Sequence, residues 1–235
     1  MPRLLLLFDL DGTLLVDDAY AHGRAMVQAA RSVWQVDLPD DAVLRIAPRG
    51  KTDRQILRDM LATVNVREGA VDERLAEWES AAAEAFATEA EAVGGRWRPR
   101  PGVDDALRVL GKRNLLTLLT GNLRPIAEMK VARMGIAGDL ELDAGAFGSD
   151  SEDRADLVPL ARARAGGEQP WPSTRAVLVG DTPADVEAAH ADRVACILFE
   201  SDQLSAAEEA RADAVVADPA TLTRLLSRWQ APEDS

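Results

Sequence analysis

The 235-residue sequence has one cysteine, two histidines and three lysines, and it lacks a long hydrophobic run. With Cys196 as the one cysteine, an intramolecular disulfide, a CxxC redox pair and a thiolate metal cluster are excluded. The apolar run at residues 4–8 ends at Asp9 and is too short for a signal-peptide core or a transmembrane helix. We therefore expect a soluble, cytoplasmic protein that does not bind membranes.

Positive charge is also scarce. The sequence has 27 basic against 40 acidic side chains and a formal net charge of −13. Because nucleic acids and anionic membranes are bound through basic surfaces, this composition argues against both as partners. Apolar residues are plentiful, at 47% of the chain, which is enough for one large domain, or one domain with an insertion, around a packed core.

Hydrophobic patterning divides the chain in two. Residues 4–8 are typical of a central strand in a parallel sheet, and apolar residues then recur at helical spacing, without a strand pattern, up to residue 95. Gly94, Gly95 and the segment rich in Pro and Arg at residues 96–101 predict a hinge. Strand and helix patterns alternate afterwards, with strands expected at residues 115–119, 176–179, 194–198 and 214–217.

This alternation predicts an α/β fold with a doubly wound, Rossmann-like parallel sheet. The helical stretch lies between the first strand and the others, so we expect it to form an inserted α-helical cap domain. The predicted boundaries are residues 1–15 and 98–235 for the α/β core and residues 16–97 for the cap.

Polar residues follow three of the predicted strands. They are Asp9 and Asp11 after the first strand, Thr120, Gly121 and Asn122 after the second, and Asp181 and Asp185 after the third. Ligands of such sheets bind beyond the carboxyl ends of the strands, so we expect these groups to meet at one site. Two carboxylates about 4 Å apart repel by about 4 kcal/mol at an effective dielectric constant near 20, so a cation is required there.

The ligand set indicates which cation this is. Oxygen ligands without a neighbouring histidine or thiolate favour a hard ion, and we expect Mg²⁺, which commonly shares phosphate oxygens of the substrate. The Thr120 hydroxyl and the N–H groups of Gly121 and Asn122 would bind further phosphate oxygens. The spacing of Asp9 and Asp11 suits attack on phosphorus by one carboxylate while the other moves a proton.

Three segments together resemble a known family. In this order, residues 9–13 (DLDGT), 120–122 (TGN) and 180–185 (GDTPAD) resemble motifs one, two and four of the haloacid dehalogenase superfamily. The helical insertion is similar to the small cap of its phosphoglycolate phosphatase-like and β-phosphoglucomutase-like members.

The resemblance implies a role for each strand-end residue. Asp9 would be the nucleophile that becomes an aspartyl-phosphate, and Asp11 would protonate the leaving group and then deprotonate the attacking water. Thr120 would bind the transferred phosphoryl group. Mg²⁺ would be held by Asp9, the backbone carbonyl of Asp11 and Asp181, with Asp185 in or next to the coordination shell.

One element departs from the superfamily pattern. The superfamily places a lysine between motifs two and four, but no lysine follows Lys130 in this chain. Arg154 stands where the resemblance would put that cation, and a guanidinium binds phosphate well. Arg162 and Arg164 are weaker candidates because they lie farther into the following helix.

The predicted cap contributes two more candidate residues. Arg49 and Lys51 precede a helix start at Thr52 and Asp53, which indicates either substrate contact or a simple helix cap. His22, on the first cap helix, is interpreted as a surface residue.

Asp11 separates the possible chemistries, because dehalogenase-like and phosphonate-cleaving relatives lack this second aspartate. We therefore expect a Mg²⁺-dependent phosphatase of a small phosphomonoester, acting as a monomer or homodimer. A phosphosugar mutase of the β-phosphoglucomutase type remains an alternative. A catalytically silent protein that senses phosphate or binds a partner is the alternative of another class.

Overall fold

The computed structural model describes residues 3–17, 20–94, 97–202, 204–209 and 211–229. Its strands are β1 Leu5–Phe8, β2 Leu15–Asp17, β3 Arg98–Pro99, β4 Leu115–Thr120, β5 Ala146–Phe147, β6 Ala176–Gly180, β7 Ala195–Phe199 and β8 Ala214–Val216. Its helices are α1 Ala21–Trp34, α2 Ala42–Arg45, α3 Asp53–Ala62, α4 Glu68–Asp72, α5 Leu75–Val93, α6 Val103–Gly111, α7 Arg124–Met134, α8 Arg154–Gly166, α9 Pro183–Ala191, α10 Ala206–Glu209 and α11 Pro219–Trp229.

The apolar run at the start of the chain forms the central strand of a parallel sheet. Among the described residues, six strands pair in the order β5-β4-β1-β6-β7-β8. Phe8 of β1 lies beside Leu118 of β4 and Val179 of β6. Every residue of β1 is buried because both faces of the sheet are covered, which explains why the strand lacks polar alternation. The predicted doubly wound α/β fold is confirmed.

Apolar layers cover the two faces of this sheet. Leu6 and Phe8 belong to the layer that includes side chains of α6, α7 and α11. Leu5 and Leu7 belong to the opposite layer, which includes side chains of α8 and α9. Successive residues of a strand point to opposite faces, so one short run contributes to both layers. Cys196 is buried in the second layer, as expected for a small core residue.

Helices α1–α5, called the helical block below, share an apolar cluster of their own. Helix α1 packs along α5, and Trp78 and Phe86 are fully buried in this cluster. Leu123 and Ile126, at the start of α7, complete it, so the block rests on the sheet-covering helices at this point. The short antiparallel pair of β2 and β3 connects block and sheet. The domain boundaries predicted from the sequence, with a cap at residues 16–97, stay a prediction.

Three short strands, β2, β3 and β5, were not predicted from the sequence, and β3 lies in the segment predicted to be a hinge. Strand β2 lies in the stretch expected to hold helices and loops alone, and its three residues are too few to show a period of two. The acidic composition of residues 141–153 predicts mostly a solvated loop, but strand β5 lies within this segment. Ala146 and Phe147 are both fully buried beside β4, so this part of the interpretation was wrong.

Some sequence predictions fall on residues outside the described ranges. Gly94 ends α5 with φ 57°, whereas Gly95 and Arg96 of the predicted hinge lie outside the described residues. Within the described residues, none of the helices is both long enough and apolar enough to span a bilayer.

Candidate active site

The end of β1 brings the first motif against β6. The backbone N–H of Asp9 donates to the Val179 carbonyl at 2.9 Å, which fixes Asp9 at the carboxyl edge of the sheet. Gly12 follows with φ 85°, and a Cβ at this position would lie 2.3 Å from Asp181 Oδ2. A glycine is therefore required for the first motif to approach Asp181.

Three aspartates from two strand ends form a buried cluster. Asp9, Asp181 and Asp185 each offer a carboxylate oxygen, and these oxygens lie within 4.8 Å of one another. Asp185 accepts hydrogen bonds from the Thr182 N–H at 3.0 Å and the Thr182 hydroxyl at 2.6 Å. The Thr13 hydroxyl lies 3.3 Å from Asp181 Oδ1 and donates to it. These bonds orient the carboxylates toward a common centre.

Arg154 supplies buried positive charge to this cluster. It is the first residue of α8, and its Nη2 donates to Asp9 at 2.8 Å and to Asp185 at 2.6 Å. Its Nε is buried and has no hydrogen-bond partner among the described residues. The weaker candidates lie elsewhere, since Arg162 pairs with Asp192 and Arg164 with Asp150.

The charges of the cluster do not balance within the protein. Burial raises the pKa of Asp9 to about 8, and the charges of Asp185 and Asp181 add to this rise while Arg154 opposes it. Burial also raises the pKa of Asp181, although Arg49 acts in the opposite direction. Buried carboxylates with raised pKa values hold protons unless a cation replaces them. A buried set of carboxylate oxygens with this charge excess fits a divalent metal ion.

Asp11 lies in a different electrostatic environment. Both of its carboxylate oxygens accept hydrogen bonds from Lys130 Nζ at 2.7 Å, and Oδ2 also accepts one from Asn122 Nδ2 at 2.8 Å. Burial raises the pKa of Asp11, but the charges of Lys130 and His22 and these hydrogen bonds outweigh it, so the pKa lies below its usual value. The two aspartates of the first motif are thus held by different cations.

Lys130 was missed as a candidate site residue. It lies on α7 with 0% of its surface exposed, and its Nζ is 3.2 Å from His22 Nδ1. The sequence does carry a signal, because Ile126, Ala127, Lys130 and Val131 share the buried face of α7. A lysine at an apolar helical position predicts a buried charge partner.

His22 is not the surface residue that the sequence indicated. It is 9% exposed, and its Nε2 lies 3.1 Å from Asp53 Oδ2. Asp53 also accepts a hydrogen bond from the Leu123 N–H at 2.7 Å. The prediction was wrong because His22 becomes buried only when α1 packs against α3 and the start of α7. Side-chain contacts from Asp53 to His22, from His22 to Lys130 and from Lys130 to Asp11 thus link the helical block to the first motif.

The segment before α3 carries two cationic side chains, Arg49 and Lys51, and one of them contacts the carboxylate cluster. Arg49 Nη2 donates to Asp181 Oδ2 at 2.6 Å. Lys51 Nζ instead donates to Asp59 at 2.7 Å, away from the carboxylate cluster. Thr52 caps α3 by accepting a hydrogen bond from the Gln55 N–H. The helix cap predicted at Thr52 is therefore present, whereas substrate contact by Arg49 and Lys51 stays a prediction.

The second motif packs tightly against that segment. The Asp53 N–H donates to the Gly121 carbonyl at 2.8 Å, and a Cβ on Gly121 would lie 2.5 Å from the Lys51 carbonyl oxygen. Thr120 and Asn122 are buried on either side, and the Thr120 hydroxyl accepts a hydrogen bond from the Asn122 N–H at 3.3 Å. Gly121 thus lets the helical block approach the loop that follows β4.

These groups line one cavity of about 580 Å³ between the sheet and the helical block. Its polar wall includes Asp9, Asp11, Thr120, Gly121, Asn122, Arg154, Asp181, Arg49 and Lys51. Asp185 lies beneath this wall, where it accepts the hydrogen bond from Arg154. The structure therefore brings the three predicted motifs together.

The fold and site define an α/β enzyme with a carboxylate cluster at the ends of its central strands. The family model of haloacid dehalogenase-like hydrolases matches residues 6–190, and the chain belongs to this family. The membership predicted from the motifs is confirmed. No curated protein matches the chain significantly.

Solved structures with the same fold cover nearly the whole chain. CbbY from Rhodobacter sphaeroides, in complex with phosphate, superposes with a TM-score of 0.70 at 21% identity over 94% of this chain and 96% of its own. A predicted phosphatase from Clostridium acetobutylicum superposes with a TM-score of 0.69 at 18% identity over 97% of this chain and 100% of its own. A putative β-phosphoglucomutase from Thermotoga maritima superposes with a TM-score of 0.60 at 20% identity over 96% of this chain and 99% of its own.

Proposed function

We propose that the protein is a Mg²⁺-dependent phosphatase that hydrolyses a small phosphomonoester through an aspartyl-phosphate. One observation carries this proposal: Asp9 and Asp11 line the same cavity while different cations hold them. Two neighbouring carboxylates in different electrostatic environments suit a nucleophile and a proton-transfer group that act on the same bond. Both the phosphate complex of CbbY and the phosphatase designation of the Clostridium protein agree with it.

In the first step, a carboxylate oxygen of Asp9 attacks phosphorus, and the bond between phosphorus and the ester oxygen breaks. The pKa of Asp11 lies below its usual value, so its carboxylate first takes up a proton from the monoanionic phosphate ester as the ester binds. Asp11 then passes this proton to the departing oxygen, so the alcohol leaves neutral and the phosphoryl group stays on Asp9. In the second step, water attacks phosphorus, Asp11 takes a proton from that water, and the Asp9 carboxylate leaves as phosphate forms.

Other groups of the cavity wall hold the phosphoryl oxygens in both steps. The Thr120 hydroxyl and the Gly121 N–H would donate to them, and the Asn122 N–H would do so in exchange for its 3.3 Å bond to the Thr120 hydroxyl. The buried Nε of Arg154 is available for the same purpose, because it has no partner among the described residues. Stabilising the charge on these oxygens in the transition state is the main contribution that a protein makes to phosphoryl transfer.

Asp9, Asp181 and Asp185, with the backbone carbonyl of Asp11, would hold Mg²⁺. The bound ion would supply positive charge beside the transferred phosphoryl group. Arg49, which contacts Asp181, belongs to the proposed cap at residues 16–97, and we assign it to substrate binding. Lys51, the second predicted substrate ligand, is bound to Asp59 instead. The scarcity of cysteine supports a cytoplasmic setting for this reaction.

Phosphate release from acetyl phosphate and a panel of phosphorylated metabolites, assayed with Mg²⁺, tests the proposal. Hydrolysis that requires Mg²⁺ and Asp9 is expected. Transfer of the phosphoryl group from Asp9 to a sugar hydroxyl instead of water would identify a mutase. Binding of phosphate without turnover of any compound would identify a catalytically silent protein.

Metal-induced stabilisation should increase with pH. The pKa of Asp9 is about 8 in the folded protein against an ordinary value of 3.8, so the metal-free folded state binds more protons than the unfolded state between these values. The free energy of unfolding of the metal-free protein therefore loses this contribution as the pH rises through that window. Mg²⁺ binds the deprotonated carboxylates, so its stabilising effect should grow in the same window.

Thermal unfolding with Mg²⁺ and with a chelator, at pH values of about 6 and about 8, checks this expectation. The midpoint difference should be larger at the higher pH, and Asp181→Asn should reduce it at both. An equal midpoint difference at the two pH values would show that no proton leaves the cluster on metal binding.

Lys130→Met should impair proton transfer by Asp11 selectively. Without the ammonium, Asp11 loses the two bonds that orient it, and we expect kcat/KM for ethyl phosphate to fall about tenfold or more. Acetyl phosphate should be affected much less, because its leaving group needs no proton, and kcat/KM covers only the steps up to the aspartyl-phosphate.

Lys112→Met is the matched control, since Lys112 is exposed at the end of α6 and should leave both values unchanged. An equal loss for the two substrates in Lys130→Met would assign Lys130 a purely structural role.

A further inference from the structure

One part of the cavity lining is apolar. Val16 of β2 and Leu44 of α2 line it and remain 50% and 60% exposed, so they lie where the cavity opens to solvent. The apolar surface continues inward with Met26, Val43 and Ile56 of the helical block. Single exposed apolar residues are ordinary, but two that line one opening from separate segments, in continuity with a buried apolar wall, indicate a surface that a ligand covers.

The cationic side chains of this cavity are already bound to protein oxygens. Arg49 and Arg154 contact the carboxylate cluster, where the phosphoryl group would be transferred. Lys51 contacts Asp59 and the Ile46 carbonyl. A second anionic group on the substrate would have to compete with a protein carboxylate for Lys51.

Arg100 is engaged in the same way. Its Nε donates to the Thr13 carbonyl at 2.7 Å, its guanidinium also bonds to the Gly12 carbonyl, and it lies 4.3 Å above the ring of Phe199. Glu200, next to Phe199, is exposed and lines the cavity. Its carboxylate disfavours a second anion on the substrate.

We infer that the substrate is a monophosphate ester whose organic part is uncharged and largely apolar, bound between Leu44 and Val16. This inference rests on the proposed phosphatase function and names the substrate class of the same site. A carboxylate or second phosphate would have to displace Asp59 from Lys51 or lie near Glu200. The hydroxyls of a sugar would lose hydrogen bonds to water against Val16 and Leu44, at a cost in binding.

A matched substrate series tests this assignment. With Mg²⁺ present, kcat/KM should rise about fourfold for each methylene added from ethyl to pentyl phosphate, as expected when each methylene leaves water. Ethyl phosphate should be a better substrate than phosphoglycolate, which has a similar size but carries a carboxylate. Hexyl phosphate should likewise be preferred to glucose 6-phosphate. The inference would be overturned if kcat/KM did not change with the length of the alkyl chain. It would also be overturned if phosphoglycolate were preferred to ethyl phosphate or glucose 6-phosphate to hexyl phosphate.

Leu44→Asn should reduce the preference for pentyl over ethyl phosphate about tenfold, because the apolar contact is replaced by an amide. Val109→Asn is the matched control: Val109 is 49% exposed on α6, outside the cavity wall, and its replacement should leave the ratio unchanged. A wild-type ratio in Leu44→Asn would overturn the inference.

Acetyl phosphate separates the inference from the proposed function. Hydrolysis of acetyl phosphate that depends on Asp9, combined with a preference for phosphoglycolate or sugar phosphates, would overturn the substrate class and leave the phosphatase function standing. Release of phosphate from none of these compounds would overturn both.

Discussion

Asp9→Asn is expected to lower phosphatase turnover about a thousandfold or more, because the amide cannot form the aspartyl-phosphate. The fold should persist. Burial raises the pKa of Asp9 to about 8, so without metal this carboxyl is mostly uncharged at neutral pH, as an amide is. Phosphate release from acetyl phosphate measures the rate, and thermal unfolding of the metal-free protein measures the fold.

Asp72→Asn is the matched control for this variant. Asp72 pairs with Arg58 on the surface of the helical block, so its replacement should leave turnover unchanged. The intact mass of acid-quenched protein gives an independent readout, since a phosphoryl adduct should form on the wild-type chain and be missing from Asp9→Asn. A variant that keeps the wild-type rate would show that another group attacks phosphorus.

Arg154→Ala should lower kcat about a hundredfold to a thousandfold, because it removes a preorganised donor and a full charge from the site of phosphoryl transfer. It also leaves Asp9 and Asp185 without their buried counter-charge, so the metal-free protein should lose stability, and Mg²⁺ should restore part of it. Steady-state kinetics and thermal unfolding with and without Mg²⁺ measure the two effects.

Arg154→Lys should recover part of the rate, since it restores the charge without the planar guanidinium. Arg164→Ala is the control on the same helix, because Arg164 pairs with Asp150 away from the cluster. If Arg154→Ala retains the wild-type kcat, another cation of the cavity stabilises the phosphoryl group.

The sheet and its strand-end residues could be predicted from the sequence. Central strands buried on both faces, such as β1 and β6, are continuous apolar runs, and their carboxyl ends meet at one edge of the sheet in this topology. The approach of Asp9, Thr120 and Asp181 to one another follows from those two facts. Strands β2, β3 and β5 could not be predicted, because two or three residues carry no measurable period.

The partners of Asp11 were beyond the same reasoning. Lys130 lies 119 residues from Asp11 in the chain and reaches it from the buried face of α7. His22 joins them only because α1 packs on this side of the sheet, a tertiary contact that no local pattern indicates. The position of Arg154 could be proposed from family order alone, whereas its bonds to both Asp9 and Asp185 depend on where α8 begins.

The bond between Asp53 and the Leu123 N–H has a thermodynamic consequence for the whole site. Together with the contact of Arg49 with Asp181, it joins the helical block to the loop that follows β4 and to the carboxylate cluster. A ligand that contacts both parts binds the joined arrangement more tightly than the separated one. By linkage, the ligand stabilises the junction by the same factor by which formation of the junction tightens ligand binding. Affinity for substrate is thus set partly by residues that never touch it.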